Sequence, residues 1–91
     1  MATHPPPALL ITGHVLDARG RPVAGARLDW VQAPVSLPDQ ALLSGPDGRF
    51  TLAVPAAGRY RLRATSDAHG QAEAPIDARP GTLTLQLRLP R

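Results

Sequence analysis

The sequence predicts an all-β fold, a seven-stranded antiparallel β-sandwich of Greek-key type. Three observations predict it. Apolar residues recur at every second position in short runs along most of the chain. Clusters of Gly and Pro punctuate those runs at short intervals, as hairpins and sheet-to-sheet turns require. No stretch carries a capped 3.6-residue period, so helix has no foothold. At 91 residues the chain makes one domain, which buries roughly 60 to 65% of the surface exposed by its unfolded form. Two small sheets face to face are the economical way to do so.

The elements follow in order. Residues 1–8, with Pro5, Pro6 and Pro7, form a proline-rich tail or linker, because consecutive prolines favour extended polyproline and cannot donate to a ladder. The sandwich itself spans residues 9–90. Leu9–Asp17 alternates, with Ile11, Gly13 and Val15 on one face and Thr12, His14 and Leu16 on the other. Residues 18–21 turn the chain through Gly20. Ala26, Leu28 and Trp30 then share the apolar side of a second strand. Ala33–Asp39 holds two prolines and is a loop leading to a short strand over Gln40–Ser44. Gly45-Pro46-Asp47-Gly48 is a tight-turn signal, since Pro presets φ and Gly accepts its positive value.

Arg49–Val54 alternates with Phe50, Leu52 and Val54 inward, and Pro55–Gly58 turns the chain again. In Arg59–Ala64 the inward set is Tyr60, Leu62 and Ala64, which leaves Arg59, Arg61 and Arg63 as an outward row. Ser66–Gly70 is a loop, and Gln71–Asp77 is a weak strand whose Pro75 consigns it to a sheet edge. Thr82–Leu89 closes the chain with its cleanest period-2 run. Trp30, Phe50, Leu52, Leu62, Leu85 and Leu87 are the expected buried residues.

Composition excludes more than it assigns. With no cysteine there is no disulfide framework and no thiolate metal site. The ten basic residues are all Arg, yet the net charge is only +3, and Trp30, Phe50 and Tyr60 are the sole aromatics. Nucleic-acid binding wants a basic surface with interleaved stacking rings, so no nucleic-acid partner is expected. The apolar run Ala8–Ile11 is too short for a signal-peptide core or a membrane span, which predicts no membrane insertion. A cytoplasmic location is therefore expected unless the chain is part of a larger exported protein. His4, His14 and His69 are scattered in sequence without supporting carboxylates, and no Asp-rich loop supplies the 6 to 8 oxygens that calcium takes. Asp17, Asp47 and Asp77 fall at strand ends, where a short carboxylate accepts backbone N–H groups.

The pieces Ile11-x-Gly13-x-Val15-x-Asp17, Gly20-x-Pro22-Val23-x-Gly25-Ala26, Asp47-Gly48-x-Phe50-x-Leu52 and Gly58-x-Tyr60-x-Leu62, with the final alternating strand, resemble the carboxypeptidase regulatory-like family. The resemblance runs from Ile11 to Leu89 and implies a transthyretin-like sandwich acting as a non-catalytic module attached to enzymes, surface proteins or transporters. Gln71 departs from the pattern, standing where members commonly carry an aromatic. His14-Val15-Leu16-Asp17 and Asp47-Gly48-Arg49 are also similar to hydroxyisourate hydrolases, which implies His14 and Arg49 as catalytic groups. That family's second histidine strand and terminal Tyr-Arg-Gly-Ser have no counterpart here. Gly20–Ala26 and Trp30-x-Gln32-Ala33 are similar to intradiol dioxygenases, whose iron takes two tyrosines and two histidines, whereas Tyr60 is the only tyrosine here.

The expectation from the sequence is a non-enzymatic module that binds another protein, with no catalytic, metal or cofactor residues. The candidate partner-binding residues are Arg59, Arg61, Arg63 and His69, because guanidiniums in a row suit an acidic surface. A sheet edge near Pro75 offers a route to strand addition or a homo-oligomer. Should the arginine row not serve, the loop residues Ala33–Asp39 together with His69 are the alternative surface. Two other functions are weighed: a reduced hydroxyisourate-hydrolase-like enzyme using His14 and Arg49, and a carbohydrate or envelope-surface binding module, which the scarcity of aromatics disfavours.

Overall fold

The structure, a computed structural model, describes residues 9–37 and 42–91. The proline-rich tail, the end of the Ala33–Asp39 loop and the start of the expected Gln40–Ser44 strand lie outside the described residues. Seven strands follow in order: β1 (Leu9–Leu16), β2 (Arg27–Gln32), β3 (Leu42–Leu43), β4 (Arg49–Ala53), β5 (Gly58–Ser66), β6 (Gly70–Ala78) and β7 (Gly81–Arg88). They form a three-stranded sheet ordered β4-β1-β7 and a four-stranded sheet ordered β3-β2-β5-β6.

One pairing departs from the antiparallel expectation. β1 and β7 are parallel, from Leu9 opposite Gly81 to Leu16 opposite Arg88. Every connection reverses the chain, so odd-numbered strands run the same way, and the first and seventh can pair only in parallel. An alternating pattern tells which face is buried and says nothing about a neighbour's direction.

The core lies between the sheets. Ile11 and Val15 of β1, Phe50 of β4 and Leu87 of β7 meet Leu28 of β2, Tyr60, Leu62 and Ala64 of β5, and Ile76 and Ala78 of β6. The expected burial of Phe50, Leu62 and Leu87 is met in full. Trp30, Leu52 and Leu85 are half-buried instead and pack on the margin of that cluster. Two sheets this small cannot enclose the whole of every inward side chain, so residues near their rim keep one flank in water. Trp30 covers that flank with Tyr60, ring centroids 5.1 Å apart and tilted by 54°.

β6 is a full nine-residue strand paired to β5 without interruption, not the weak strand expected. Pro75 does sit at a sheet edge, opposite Arg61. Its missing N–H falls on the open side of β6, so the ladder to β5 is intact. The Gly45–Gly48 turn closes with Gly48 N–H donating to Gly45 O at 2.9 Å and docks on β1, where Val15 N–H donates to Gly48 O at 2.8 Å. Gly48 has φ +77°, and a Cβ there would lie 2.7 Å from Val15 O. Only glycine meets both the turn and the approach.

Candidate functional site

Three surfaces gather chemistry-bearing side chains. The first is the outer face of the four-stranded sheet, where alternation along β5 points Arg59, Arg61 and Arg63 outward as expected. The register sets Arg63 between Asp29 of β2 and Glu73 of β6, and Arg59 opposite Asp77. Arg63 grips Asp29 with both prongs, Nε to Oδ1 at 3.1 Å and Nη2 to Oδ2 at 2.5 Å. Asp29 is the main reason that the Arg63 guanidinium is held above its ordinary pKa. Arg61 reaches Glu73 at 3.6 Å, while Asp77 takes Arg79 at 3.0 Å. What alternation along one strand presents as a cationic row is, across the sheet, a ladder of alternating charge.

The second surface is the end of the sandwich where β1, β5 and β7 finish. A hollow of about 390 Å³ is lined there by Asp17, Ala18, Arg19, Arg21, Ala68, His69 and Arg91. His69 sits on the β5–β6 turn, with Nδ1 2.6 Å from the main-chain oxygen of Arg91, and Arg91 N–H donates to His69 O at 3.0 Å. The structure therefore separates the sequence-predicted residues. His69 lies at one end and Arg59 at the other end of β5. Ala33 and Pro34 are likewise away from His69, since a Cβ on Gly58 would lie 2.9 Å from Pro34 Cγ.

Asp17 builds the turn beside this hollow. Its Oδ1 accepts N–H bonds from Arg19 and Arg21, both at 2.9 Å, while its own N–H donates to Arg21 O at 2.8 Å. Asp47 does the same for Arg49 N–H at 3.1 Å. Both carboxylates hold backbone in the way the strand-end positions predict; Asp77 bonds the Arg79 side chain instead. The Arg21 N–H, then that of Arg19, holds the Asp17 pKa below its ordinary value against the opposing effect of burial. A depressed folded-state pKa gives stability that is present above the unfolded value and lost as pH falls through the folded one. Amide exchange at Arg19 and Arg21, corrected for its intrinsic rate, should thus hold steady down to about pH 4 and accelerate below it. Acceleration already near neutral pH would show that the carboxylate does not hold the turn.

The third surface is the outer face of the three-stranded sheet. Register places His14 of β1 opposite Arg49 of β4, and Arg49 Nε donates to His14 Nε2 at 2.9 Å. The imidazole proton is then on Nδ1. Thr12, Thr51 and Thr84 join them, with Gly13 and Phe50, in lining a hollow of about 410 Å³, the Thr12 and Thr84 hydroxyls lying 3.2 Å apart. Asp47 approaches Arg49 at 3.5 Å. Among the described residues no group of three or more His, Cys, Asp or Glu side chains is placed to hold a metal ion, and no helix is long and apolar enough to cross a membrane.

The sequence matches the family described as the carboxypeptidase regulatory-like domain over residues 10–90. The chain belongs to that family. No curated protein matches the sequence. The domain is similar in structure to 5-hydroxyisourate hydrolase from Klebsiella pneumoniae, with TM-score 0.67, 21% identity and 90% of each chain covered. It is similar to the dioxygenase domain of a dioxygenase and carbohydrate-binding protein fusion from Streptomyces sp. SirexAA-E, with TM-score 0.68, 17% identity, 99% of this chain and 84% of that chain covered. The major pilin subunit BcpA of Bacillus cereus gives TM-score 0.62 at 16% identity over 93% of this chain, which spans 30% of the pilin. At these identities the likeness establishes the transthyretin-like sandwich alone. This regulatory-like domain shares its scaffold with two enzymes and a fibre subunit, and a scaffold does not fix a function.

Two groups escaped the sequence reading. Buried Ser44 has its Oγ within hydrogen-bond reach of two backbone groups, and nothing in its own neighbourhood of sequence marks it. The convergence of Arg19, Arg21 and Arg91 depends on a β1–β2 turn and the chain beyond β7 reaching the same end, which only the parallel β1–β7 pairing reveals.

Proposed function

We propose that this domain is a non-catalytic module that binds another protein by adding an extended segment of that partner to the open edge of β7. The observation that carries the reading is the contrast between the two long edges. β6 is blunted on its open side by Pro75, with Glu73 and Asp77 flanking it, as natural sheets blunt edges that must not pair. β7 has no proline, and Arg88 at its end is its only charge. Leu89 N–H donates to Leu16 O, and the Leu85 carbonyl abuts Gly13, so odd-numbered residues bond β1. In a parallel ladder the alternate residues then direct their N–H and C=O groups away, which leaves Thr82, Thr84, Gln86 and Arg88 facing the open side. Leu83, 37% exposed, adds an apolar contact beside them. Arg88 suits a partner segment with acidic residues, whereas Arg61 and Arg63 are already engaged by carboxylates.

The non-catalytic half of the reading is supported by the His14–Arg49 bond. The Nε2 lone pair that a general base would use accepts from Arg49.

Copurification from the native host tests the binding half, and a hydrolysis assay tests the other. A partner retained by the wild-type domain should be lost with Gln86→Pro, a substitution tolerated at an edge N–H that faces away from β1, and also with Thr82→Lys combined with Gln86→Lys. Retention should persist in Arg59→Gln. In the complex, the Thr82, Thr84 and Gln86 amides should gain exchange protection. A partner indifferent to all the β7 substitutions would refute strand addition, and a second copy of this chain as the partner would appear as a dimer by light scattering. Hydrolysis of 5-hydroxyisourate that disappears in His14→Ala would overturn the non-catalytic reading.

A further inference from the structure

We infer that the hollow between Arg19, Arg21, His69 and Arg91 is a binding site for a tetrahedral oxyanion of the phosphate class. The inference is independent of strand addition at β7. It begins with where the unpaired charge of the molecule collects. Arg49, Arg61, Arg63 and Arg79 each have a carboxylate partner. Among the described residues Arg19, Arg21, Arg27, Arg59, Arg88 and Arg91 have none. Three of these line one hollow. Arg88 is not among the lining residues, although its Nη2 comes within 3.3 Å of where a Cβ on Gly20 of the same turn would lie. Guanidiniums gathered in excess of their counter-charge repel one another, and an anion between them removes that repulsion while accepting their hydrogen bonds.

The arrangement is held in place before any ligand arrives. Arg19 and Arg21 project from a turn pinned by the Asp17 carboxylate through two N–H bonds and closed by Gly20 N–H to Asp17 O at 3.0 Å. Arg91 is strapped to His69 by two hydrogen bonds. Pre-set backbone means that little order remains to be imposed on binding beyond the arginine side chains themselves. His69 uses Nδ1 on Arg91, and its Nε2 has no partner among the described residues.

Ligand class follows from count and shape. The lining residues include three arginines and one acidic residue, Asp17, whose Oδ1 is committed to backbone N–H groups. One guanidinium fork satisfies the two oxygens of a carboxylate, whereas a phosphoryl group offers three oxygens in different directions and can accept from several forks at once. The hollow is wide enough for the group and open to solvent, so a free phosphate and a phosphoryl ester share the same recognition.

Titration of the ¹⁵N-labelled domain with inorganic phosphate in buffered chloride should shift the amides of residues 17–21 and 68–70 and those of Leu89 and Arg91 saturably, with a low-millimolar midpoint. Arg21→Gln and Arg19→Gln should each weaken binding by at least about fivefold, the loss of one charge-assisted contact at a partly solvated site. Arg59→Gln, an unpaired arginine at the other end of β5, should leave it unchanged. Phosphoserine binding at least as tightly as phosphate would make the source an esterified phosphoryl group; phosphate binding more tightly would make it the free ion. The proposal is overturned if acetate matches phosphate, if shifts rise linearly without saturation, or if Arg59→Gln weakens binding as much as Arg21→Gln in domains whose spectra show the native fold.

Discussion

Gly13→Ala should destabilise the domain by about 2 to 3 kcal/mol, although it adds a single methyl group and replaces a residue of poor strand propensity. Gly13 is buried on the inner face of β1. A Cβ there would lie 2.5 Å from the Leu85 carbonyl oxygen and 2.6 and 2.9 Å from two carbons of the Phe50 ring. The ring can turn aside at the expense of its packing. The Leu85 oxygen belongs to the neighbouring strand and cannot move without lengthening the β1–β7 ladder. Relief of chain entropy on replacing glycine is worth roughly 0.5 to 1 kcal/mol in the opposite sense, too little to offset the clash. For a domain whose whole stability is about 5 to 14 kcal/mol, the thermal midpoint should fall by about 10 °C or more. Phe50→Leu in the Gly13→Ala background should recover part of the loss, because it removes the ring contacts and leaves the carbonyl. Full recovery, or a neutral Gly13→Ala, would mean that β1 and β7 are not as close as described.

The same position shows why so much of this fold was legible. Alternation puts Gly13 on the face it shares with Ile11 and Val15, and that face is the inner one. Alternation is a property of one strand, so the inward sets of β1, β4 and β5 could be named residue by residue. Pairing is a property of two strands. The direction of β7 beside β1 and the carboxylates beside Arg61 and Arg63 therefore lay beyond a strand-by-strand reading. Asp29 and Arg63 are 34 positions apart, and nothing local to either foretells the other. The candidate surfaces suffer most from this, because a surface is always assembled from several strands.

Charge illustrates the consequence. The arginines that look most conspicuous along the chain, Arg59, Arg61 and Arg63, alternate on one strand and mostly find acids across the sheet. Arg19, Arg21 and Arg91, unremarkable where they stand in sequence, are brought to one end by the turn after β1 and the chain after β7. Exposed ion pairs such as Arg61–Glu73 and Arg79–Asp77 contribute little to stability, with typical values of about 0 to 1 kcal/mol, so beyond the part-buried, two-pronged Arg63–Asp29 pair the ladder serves register and solubility more than strength.

Ser44→Ala should have the second large effect, about 2 to 4 kcal/mol, from the loss of one oxygen atom. Ser44 is 5% exposed. Its Oγ accepts the Ala26 N–H at 2.9 Å and donates to Val23 O at 2.7 Å. Its own backbone adds a bond to Ala26 O and accepts one from Gly25 N–H, each at 2.9 Å. Val23 and Ala26 are themselves buried, so removing the hydroxyl leaves a donor and an acceptor with neither protein nor water to satisfy them, at about 1 to 3 kcal/mol for each group. Denaturant unfolding should show a lower midpoint at an unchanged slope. Ser44→Gly, which leaves room for a water in the place of Oγ, should lose less than Ser44→Ala once about 1 kcal/mol is set aside for glycine's backbone entropy. A Ser44→Ala change under about 0.5 kcal/mol would show that water already reaches both groups. The segment these bonds anchor, Pro22–Ala26, follows directly on the turn that presents Arg19 and Arg21, so Ser44→Ala should also blunt the phosphate response of those amides, while Arg59→Gln leaves both stability and response in place.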